Sequence, residues 1–267
     1  MSNNNEVQTL LDFAVKIAHE SGEIALKYFR SDLQVENKTR TEKFDPVTLA
    51  DKEIEAYLRE KIKETYNEHT VIGEEAGTSE GTQSYKWLID PIDGTRGFVS
   101  GSPVWGTLIG LMDGDKCVAG LMHQPFVNET YIGSGAGAYI LNGSGKKPIK
   151  TSNKQKIADA ILCTTHLSMF HNSRELDTFI KIAGMCRFSR LGTDCYGYAL
   201  LAHGFVDLVV EAGLAAYDIM PLIPVIEAAG GVVTDWDGNP ADKGGRVVAA
   251  ANATLHEQVL KILAHHG

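Results

Sequence analysis

The amino-acid sequence predicts a mixed α/β fold in which helices and sheets stack in layers. A long amphipathic pattern near the amino terminus predicts a helix, and the stretch from Lys86 to Ile149 is typical of antiparallel β structure. After residue 150, short apolar strands alternate with helical patterns, which indicates layered α/β packing. We expect an α+β half at residues 1–152 and an α/β half at residues 153–267, joined in one compact unit.

Two helices are predicted first. Apolar residues recur three and four positions apart at Val7, Leu10, Leu11, Ala14, Ile17, Ala18, Ile24, Ala25 and Tyr28. A polar stretch, Ser31–Phe44, separates this helix from a second one, whose start is marked by Thr48 and Asp51 as a capping pair.

A β meander follows, with turn residues between its strands. The predicted strands are Trp105–Met112, Cys117–His123 and Thr130–Ile132. The run Gly133–Ala138 matches the glycine pattern of a dinucleotide-binding loop, but that loop must open a helix. Strand and turn residues follow instead, so we interpret the run as a hairpin.

The second half predicts strands and helices in turn. We expect strands at residues 160–164, 205–210, 232–234 and 247–251, and helices at residues 175–185, 195–202, 221–229 and 255–264.

Composition excludes several classes of protein. The 267 residues carry a net charge of -9 without a basic stripe, which argues against nucleic acid as the main ligand. No apolar run approaches the roughly 20 residues of a membrane helix, and the polar start lacks signal-peptide order, so we expect a cytoplasmic protein. The four cysteines form no C-x-x-C pair and are interpreted as reduced thiols.

Carboxylates at the end of a predicted strand are the strongest functional signal. Asp90 and Asp93 follow an apolar run; Pro91 restricts the backbone between them, and Gly94 permits a sharp turn after them. Both carboxylates can then point into one cleft, which suits a hard cation such as Mg²⁺. Gly94 and Thr95 also predict a helical turn whose N–H groups would bind phosphate.

Each acidic motif also has a structural interpretation. A single D-x-x-D-G is most often a turn, and the paired acids Glu74 and Glu75 are often solvated. Asp218 and Asp51 each precede an apolar helix and are typical of helix caps. The functional interpretation gains weight because all these acids adjoin apolar runs.

The ordered motifs resemble those of the inositol monophosphatase superfamily. They are G-E-E at Gly73–Glu75, D-P-I-D-G-T at Asp90–Thr95, and Tyr217-Asp218 before a helix that ends at Ala228–Gly231. The resemblance spans nearly the whole chain. It implies a layered αβαβα sandwich, a homodimer, and hydrolysis of a small phosphate monoester.

The resemblance also implies roles for the acids. Glu74, Asp90 and the Ile92 carbonyl would hold one Mg²⁺, while Asp90, Asp93 and Asp218 would hold a second. Glu74 and Asp51 would serve a looser third ion. Thr95 and Glu74 would orient and deprotonate the attacking water, and the catalytic set is Glu74, Thr95 and Asp51.

The histidinol-phosphatase branch is the most similar one. The shared stretches are Trp87–Phe98, Arg190–Ala199, Asp207–Glu211, Tyr217-Asp218 and Leu222–Glu227. Asp194 and Glu211 match positions that line the alcohol pocket, and two carboxylates there suit the cationic alcohol of L-histidinol phosphate. The expected substrate-binding set is Gly94, Thr95, Arg96, Gly192, Thr193, Asp194, Glu211 and Asp218.

Two other functions remain open. The first is an inositol monophosphatase or a broader sugar-phosphate phosphatase, in which Glu211 contacts hydroxyls and Asp194 caps a helix. The second is a regulatory protein that binds transcription or RNA-processing complexes, which would require a basic or apolar interaction face. The net charge of -9 does not favour the regulatory function.

Overall fold

The computed structural model describes residues 4–32, 35–37 and 46–264, so most of the polar stretch Ser31–Phe44 lies outside the described residues. The helices are α1 (Asn4–Tyr28), α2 (Leu49–Thr65), α3 (Thr95–Val99), α4 (Ser173–Met185), α5 (Asp194–Ala202), α6 (Ala216–Ile219), α7 (Ile223–Ala228) and α8 (Ala253–Ala264). Short 3-10 helices lie at Ile157–Asp159 and Leu167–Met169.

Fifteen strands occur in the described ranges. They are β1 (Val35–Asn37), β2 (Pro46–Thr48), β3 (Thr70–Gly73), β4 (Gly77–Ser79), β5 (Tyr85–Asp93), β6 (Gly106–Asp113), β7 (Lys116–Gln124), β8 (Glu129–Ser134), β9 (Gly137–Asn142), β10 (Gly145–Pro148), β11 (Ile161–Thr164), β12 (Phe188–Leu191), β13 (Leu208–Leu214), β14 (Val232–Asp235) and β15 (Gly245–Ala250).

The larger sheet has eight strands in the order β10-β9-β8-β7-β6-β5-β3-β4. Strands β5 to β10 form an antiparallel meander, as predicted, and the glycine-rich run forms the β8–β9 hairpin. Strand β3 pairs with β5 in parallel, with Gly73 opposite Ile89. The parallel pairing brings the carboxyl ends of β3 and β5 to the same edge of the sheet.

The second sheet, called the small sheet below, has five strands in the order β12-β11-β13-β15-β14, and β1 and β2 form a separate antiparallel pair. The predicted strand at residues 205–210 is displaced, because β13 begins at Leu208 and continues to Leu214. The N–H groups of Phe205 and Val206 still bond to the carbonyl of Leu200 in α5, so these residues complete the helix end instead of starting the strand.

The layers follow the order α-β-α-β-α. Helices α1 and α2 cover the outer face of the large sheet, and α5, α6 and α7 pack between the two sheets. Helices α4 and α8 cover the far face of the small sheet. The predicted mixed α/β sandwich is therefore confirmed.

The central core combines residues from both predicted halves of the chain, for example Leu108 and Met122 with Cys163 and Val225. The division at residues 152 and 153 stays a prediction. Within the described part of the chain, none of the helices is long and apolar enough to span a membrane.

Candidate active site

The carboxyl end of β5 carries the acids that the sequence singled out. The ladder with β6 is irregular between Asp90 and Asp93, so the backbone bends where the two acids project. The Asp90 carboxylate accepts a hydrogen bond from the Ile92 N–H at 3.1 Å. Gly94 has φ 86°, and a Cβ there would lie 3.0 Å from that of Asp194. Glycine therefore allows both the left-handed turn and the close approach of α5.

Asp218 joins the two aspartates from a distant part of the chain. It lies in α6, which packs against β5 and β6, and its carboxylate accepts a hydrogen bond from the Ala215 N–H at 2.8 Å. One carboxylate oxygen from each of Asp90, Asp93 and Asp218 lies within 4.8 Å of the others. Asp218 thus serves as a cap and also faces the acids at the strand end.

Glu74 reaches the same edge from β3. Its N–H donates to the Ile89 carbonyl at 3.3 Å, and its side chain is in hydrogen-bonding contact with Asp90. The three-acid group itself does not include Glu74. Glu74 therefore lies next to that group, in contact with its member Asp90.

Electrostatics at this edge favour a bound cation. Burial, together with repulsion from neighbouring acids, raises the pKa of Asp90 well above its ordinary value. Burial and the carboxylates of Asp218 and Asp194 raise the pKa of Asp93 in the same way. Ionised carboxylates this close need a compensating positive charge, and their oxygens are the donors that hard divalent cations prefer. The residues present therefore fit a divalent metal site.

Thr95 opens α3 beside this group. Its hydroxyl lies 3.1 Å from the Ile92 carbonyl oxygen and 3.5 Å from Asp51 Oδ1. The other oxygen of Asp51 accepts from the N–H of Thr48 at 2.8 Å, which confirms the predicted capping pair of α2. Asp51 is fully buried, so it caps the helix and also faces Thr95.

The predicted alcohol-binding residues line a small cavity of about 90 Å³ next to the acids. Asp93, Asp218, Asp194 and Glu211 all contribute to its wall. Burial, then the charge of Glu211, raises the pKa of Asp194 to about 7, while Arg96 acts in the opposite direction. Of the expected substrate-binding set, Asp194, Glu211 and Asp218 line this cavity. The other five members are not among its wall residues: Gly94, Thr95, Arg96, Gly192 and Thr193.

Glu211 is held by two residues that the sequence did not point to. Thr165 donates to one of its oxygens through its N–H at 2.7 Å and its hydroxyl at 2.6 Å. The Tyr198 hydroxyl donates to the other oxygen at 2.9 Å. No local pattern distinguishes Thr165 or Tyr198, since both reach Glu211 only through the packing of α5 and β11 on β13.

The start of α5 contributes Asp194 and Cys195 to the wall of the cavity. Gly192 adopts φ 74°, and Asp194, although not glycine, adopts φ 43°. The Cys195 N–H that follows donates to Asp93 Oδ2 at 2.8 Å. The start of α5 is thereby tied directly to the end of β5, with Thr193 next to the buried Gly197.

Comparison with known proteins agrees with the geometry. The chain matches the inositol monophosphatase family over residues 6–267. The "Bifunctional phosphatase IMPL2, chloroplastic" of Arabidopsis thaliana is 38% identical over 261 residues, which cover 94% of this chain and 73% of that protein. A histidinol-phosphatase of Streptomyces coelicolor is 33% identical over 87% of this chain and 88% of its own length.

Solved structures support the same assignment. An inositol monophosphatase from Zymomonas mobilis superposes with a TM-score of 0.85 at 32% identity, covering 98% of this chain and 100% of that one. Its fold, the family match along nearly the whole chain and the acidic group at the strand end all agree. The chain therefore belongs to the inositol monophosphatase family of metal-dependent phosphatases.

Proposed function

We propose that this phosphatase uses Mg²⁺ and hydrolyses L-histidinol phosphate to L-histidinol and phosphate. The convergence of Asp90, Asp93 and Asp218 supports the metal, because two segments far apart in sequence deliver oxygen donors to one point. The carboxylates of Asp194 and Glu211 in the adjoining cavity support the substrate. We further propose a homodimer with histidine biosynthesis as its pathway.

The proposal assigns a set of residues to each ion. Glu74, Asp90 and the Ile92 carbonyl would hold one Mg²⁺, and Asp90, Asp93 and Asp218 a second, which the grouping of these three acids supports. Glu74, beside Asp90, and Asp51, beside Thr95, would serve a looser third. When bound, such ions neutralise phosphate charge, activate water and stabilise the leaving oxygen.

Thr95 and its neighbours are suited to orient the attacking water. The single hydroxyl proton of Thr95 can be donated to Asp51 Oδ1 or to the Ile92 carbonyl, which leaves the Thr95 oxygen free to accept a hydrogen bond from water. Thr48 fixes the Asp51 carboxylate from its other oxygen. We assign to Glu74, which lies beside Asp90, the role of taking the proton that the water loses.

The cavity next to the acids suits a cationic alcohol. L-Histidinol carries an ammonium group and an imidazole, and Asp194 is a half-buried carboxylate on the cavity wall. Glu211 already accepts three hydrogen bonds from Thr165 and Tyr198. A carboxylate has about four acceptor positions, so Glu211 retains about one for substrate. Asp194 is therefore the main candidate for contact with the ammonium group.

Inositol or sugar phosphates are the alternative substrates. The three donors on Glu211 favour this alternative, because they hold the carboxylate as a rigid acceptor for a single hydroxyl group. The similarity to the inositol monophosphatase of Zymomonas mobilis points the same way. A binding role in transcription or RNA-processing complexes is a separate hypothesis, which a pull-down with the catalytically inactive protein would address.

Phosphate release from L-histidinol phosphate and from inositol 1-phosphate, measured in parallel with Mg²⁺, tests the proposal. We expect a specificity constant at least tenfold higher for L-histidinol phosphate, and loss of both activities in EDTA. Preference for inositol 1-phosphate would overturn the substrate and leave the phosphatase intact. Activity that persists in EDTA would overturn the metal.

A further inference from the structure

Glu55, a buried acid of α2, binds the turn that carries Glu74. Glu55 is 1% exposed, and its carboxylate accepts hydrogen bonds from the N–H groups of Glu75 at 2.7 Å and Ala76 at 2.8 Å. Arg59, one helical turn further along, donates to the same carboxylate through Nε at 2.8 Å. Glu55 thus binds the two residues that directly follow Glu74.

Arg59 binds the same turn on its far side. Its guanidinium donates to the Gly77 carbonyl, to the Ser79 hydroxyl at 3.1 Å and to the Val71 carbonyl at 3.4 Å. These partners lie on β3 and β4, the two strands that the turn connects. The Glu55–Arg59 pair therefore fixes the turn at its middle and at both of its ends.

Glycine at position 73 is what allows this close approach. A Cβ on Gly73 would lie 2.5 Å from Glu55 Oε1 and 2.7 Å from Arg59 Nη2, both well inside contact distance. The strand end that precedes Glu74 is therefore in direct contact with the pair. A side chain there would push the carboxylate away from the N–H groups that it accepts from.

The bonds between Glu55 and the turn are shorter than the backbone bond of Glu74 itself. The Glu74 N–H reaches the Ile89 carbonyl at 3.3 Å, which is long for an N–H···O bond. The bonds to Glu55 are shorter and involve an ionised acceptor, and charge-assisted bonds of this kind are roughly twice as strong as neutral ones. The stronger restraint on the turn thus comes from α2.

We propose that Glu55 is a positioning residue for the phosphatase reaction. Paired with Arg59, it fixes the backbone of Glu75 and Ala76, so that the Glu74 carboxylate is directed at Asp90. The inference rests on the proposed function, in which Glu74 binds metal and takes the proton from water. Helix α2 also carries Asp51, four residues before Glu55. The same helix therefore supplies one of the three proposed catalytic residues, Asp51, and positions a second, Glu74.

Glu55→Gln is the variant that tests this role. The amide keeps the size and one acceptor but turns an NH₂ group toward Arg59 or toward a backbone N–H, so at least one bond to the turn is lost. Residues that orient metal ligands typically contribute about 10–100-fold to metal affinity. We expect Mg²⁺ binding, measured by calorimetry with Mg²⁺ alone, to weaken roughly tenfold or more. The kcat should fall while KM changes little.

Asp207→Asn is the matched control. Asp207 is also fully buried, accepts from the Ile161 N–H at 2.7 Å and pairs with Lys154 at 2.8 Å, but it lies at the start of β13 in the small sheet. Both substitutions should lower the melting temperature. Only Glu55→Gln should weaken Mg²⁺ binding.

Arg59→Lys provides a second, milder variant if Glu55→Gln does not fold. It keeps the charge and loses the fork that reaches Gly77 and Ser79, so a smaller loss of Mg²⁺ affinity is expected. Unchanged Mg²⁺ affinity in a folded variant, or an equal loss in Asp207→Asn, would overturn the positioning role. A wild-type protein that binds Mg²⁺ but hydrolyses no phosphate monoester would overturn the proposed function instead.

Discussion

Asp194→Asn is expected to reduce activity on L-histidinol phosphate selectively. The substitution keeps the shape of a side chain that packs against Gly94, where an added Cβ would lie 3.0 Å from the Asp194 Cβ. It removes the negative charge that we propose for contact with the substrate ammonium. A substrate whose alcohol part is uncharged, such as inositol 1-phosphate, should lose little activity, because a hydroxyl group can bond to an amide as well as to a carboxylate.

The expected size of the effect follows from the environment of Asp194. Two unit charges about 4 Å apart attract by about 4 kcal/mol at an effective dielectric constant of about 20. Asp194 is only half-buried, and Arg96 lies close enough to lower its pKa, so part of this energy is lost to solvent and to competition. A net loss of about 1.5–3 kcal/mol remains, which is roughly ten- to hundredfold in specificity constant.

The assay compares the two substrates in wild type and variant at pH 8. At that pH Asp194, whose pKa burial and Glu211 raise to about 7, is mostly ionised even before substrate binds. Asp177→Asn, an exposed acid on α4, changes the net charge equally and serves as the control. A ratio of specificity constants that Asp194→Asn leaves unchanged would refute the contact.

Three further outcomes are expected. Asp93→Asn should lower kcat by several orders of magnitude, and near-normal kcat in saturating Mg²⁺ would contradict its role. The same substitution should raise the melting temperature of the metal-free protein at neutral pH, because it removes a carboxylate that has a raised pKa owing to burial and to the charge of Asp218. Thr95→Ala and Glu74→Gln should each reduce kcat far more than they change KM. The double variant should lose no more kcat than either single variant, whereas additive losses would mean that the two residues act separately. Burial lowers the pKa of His123 from 6.5 to about 3. Between these two pH values the histidine is protonated in the unfolded chain but not in the folded protein. The protein should then lose about 1.6 kcal/mol of stability as the pH falls from 6.5 to 5, with a slope that approaches about 1.4 kcal/mol per pH unit. Chemical denaturation of His123→Asn should show a weaker pH dependence, and an identical one would exclude this histidine as the cause.

The parts of the site that sequence could predict are those that local chemistry determines. Pro91 and Gly94 constrain the backbone beside Asp90 and Asp93, so the strand-end geometry is a property of a few consecutive residues. The capping role of Thr48 is equally local. The position of these acids at a strand end is therefore predictable from the sequence alone.

The Glu55–Arg59 pair shows where such reasoning fails. Glutamate and arginine four residues apart on a helix are typical of a solvent-exposed ion pair, which is worth about 0.3–0.5 kcal/mol. Burial of Glu55 arises only when β3 and β4 pack over this face of α2, and no helical pattern reports that contact. The same limit hid Thr165 and Tyr198, whose partner Glu211 lies on another strand.

The clustered acids Asp90 and Asp93 lower the stability of the folded, metal-free protein, and backbone N–H groups that bind them act in the opposite direction. A carboxyl group whose pKa is higher in the folded state makes the folded protein less stable at every pH above its unfolded value, since the charged form is the one that burial disfavours. Asp90 and Asp93 both have raised pKa values, so at neutral pH the metal-free site works against folding. The backbone groups that bind the acids, such as the Cys195 N–H on Asp93, offset part of this penalty. A bound divalent cation would offset more, and metal affinity and fold stability are therefore coupled through the same carboxylates.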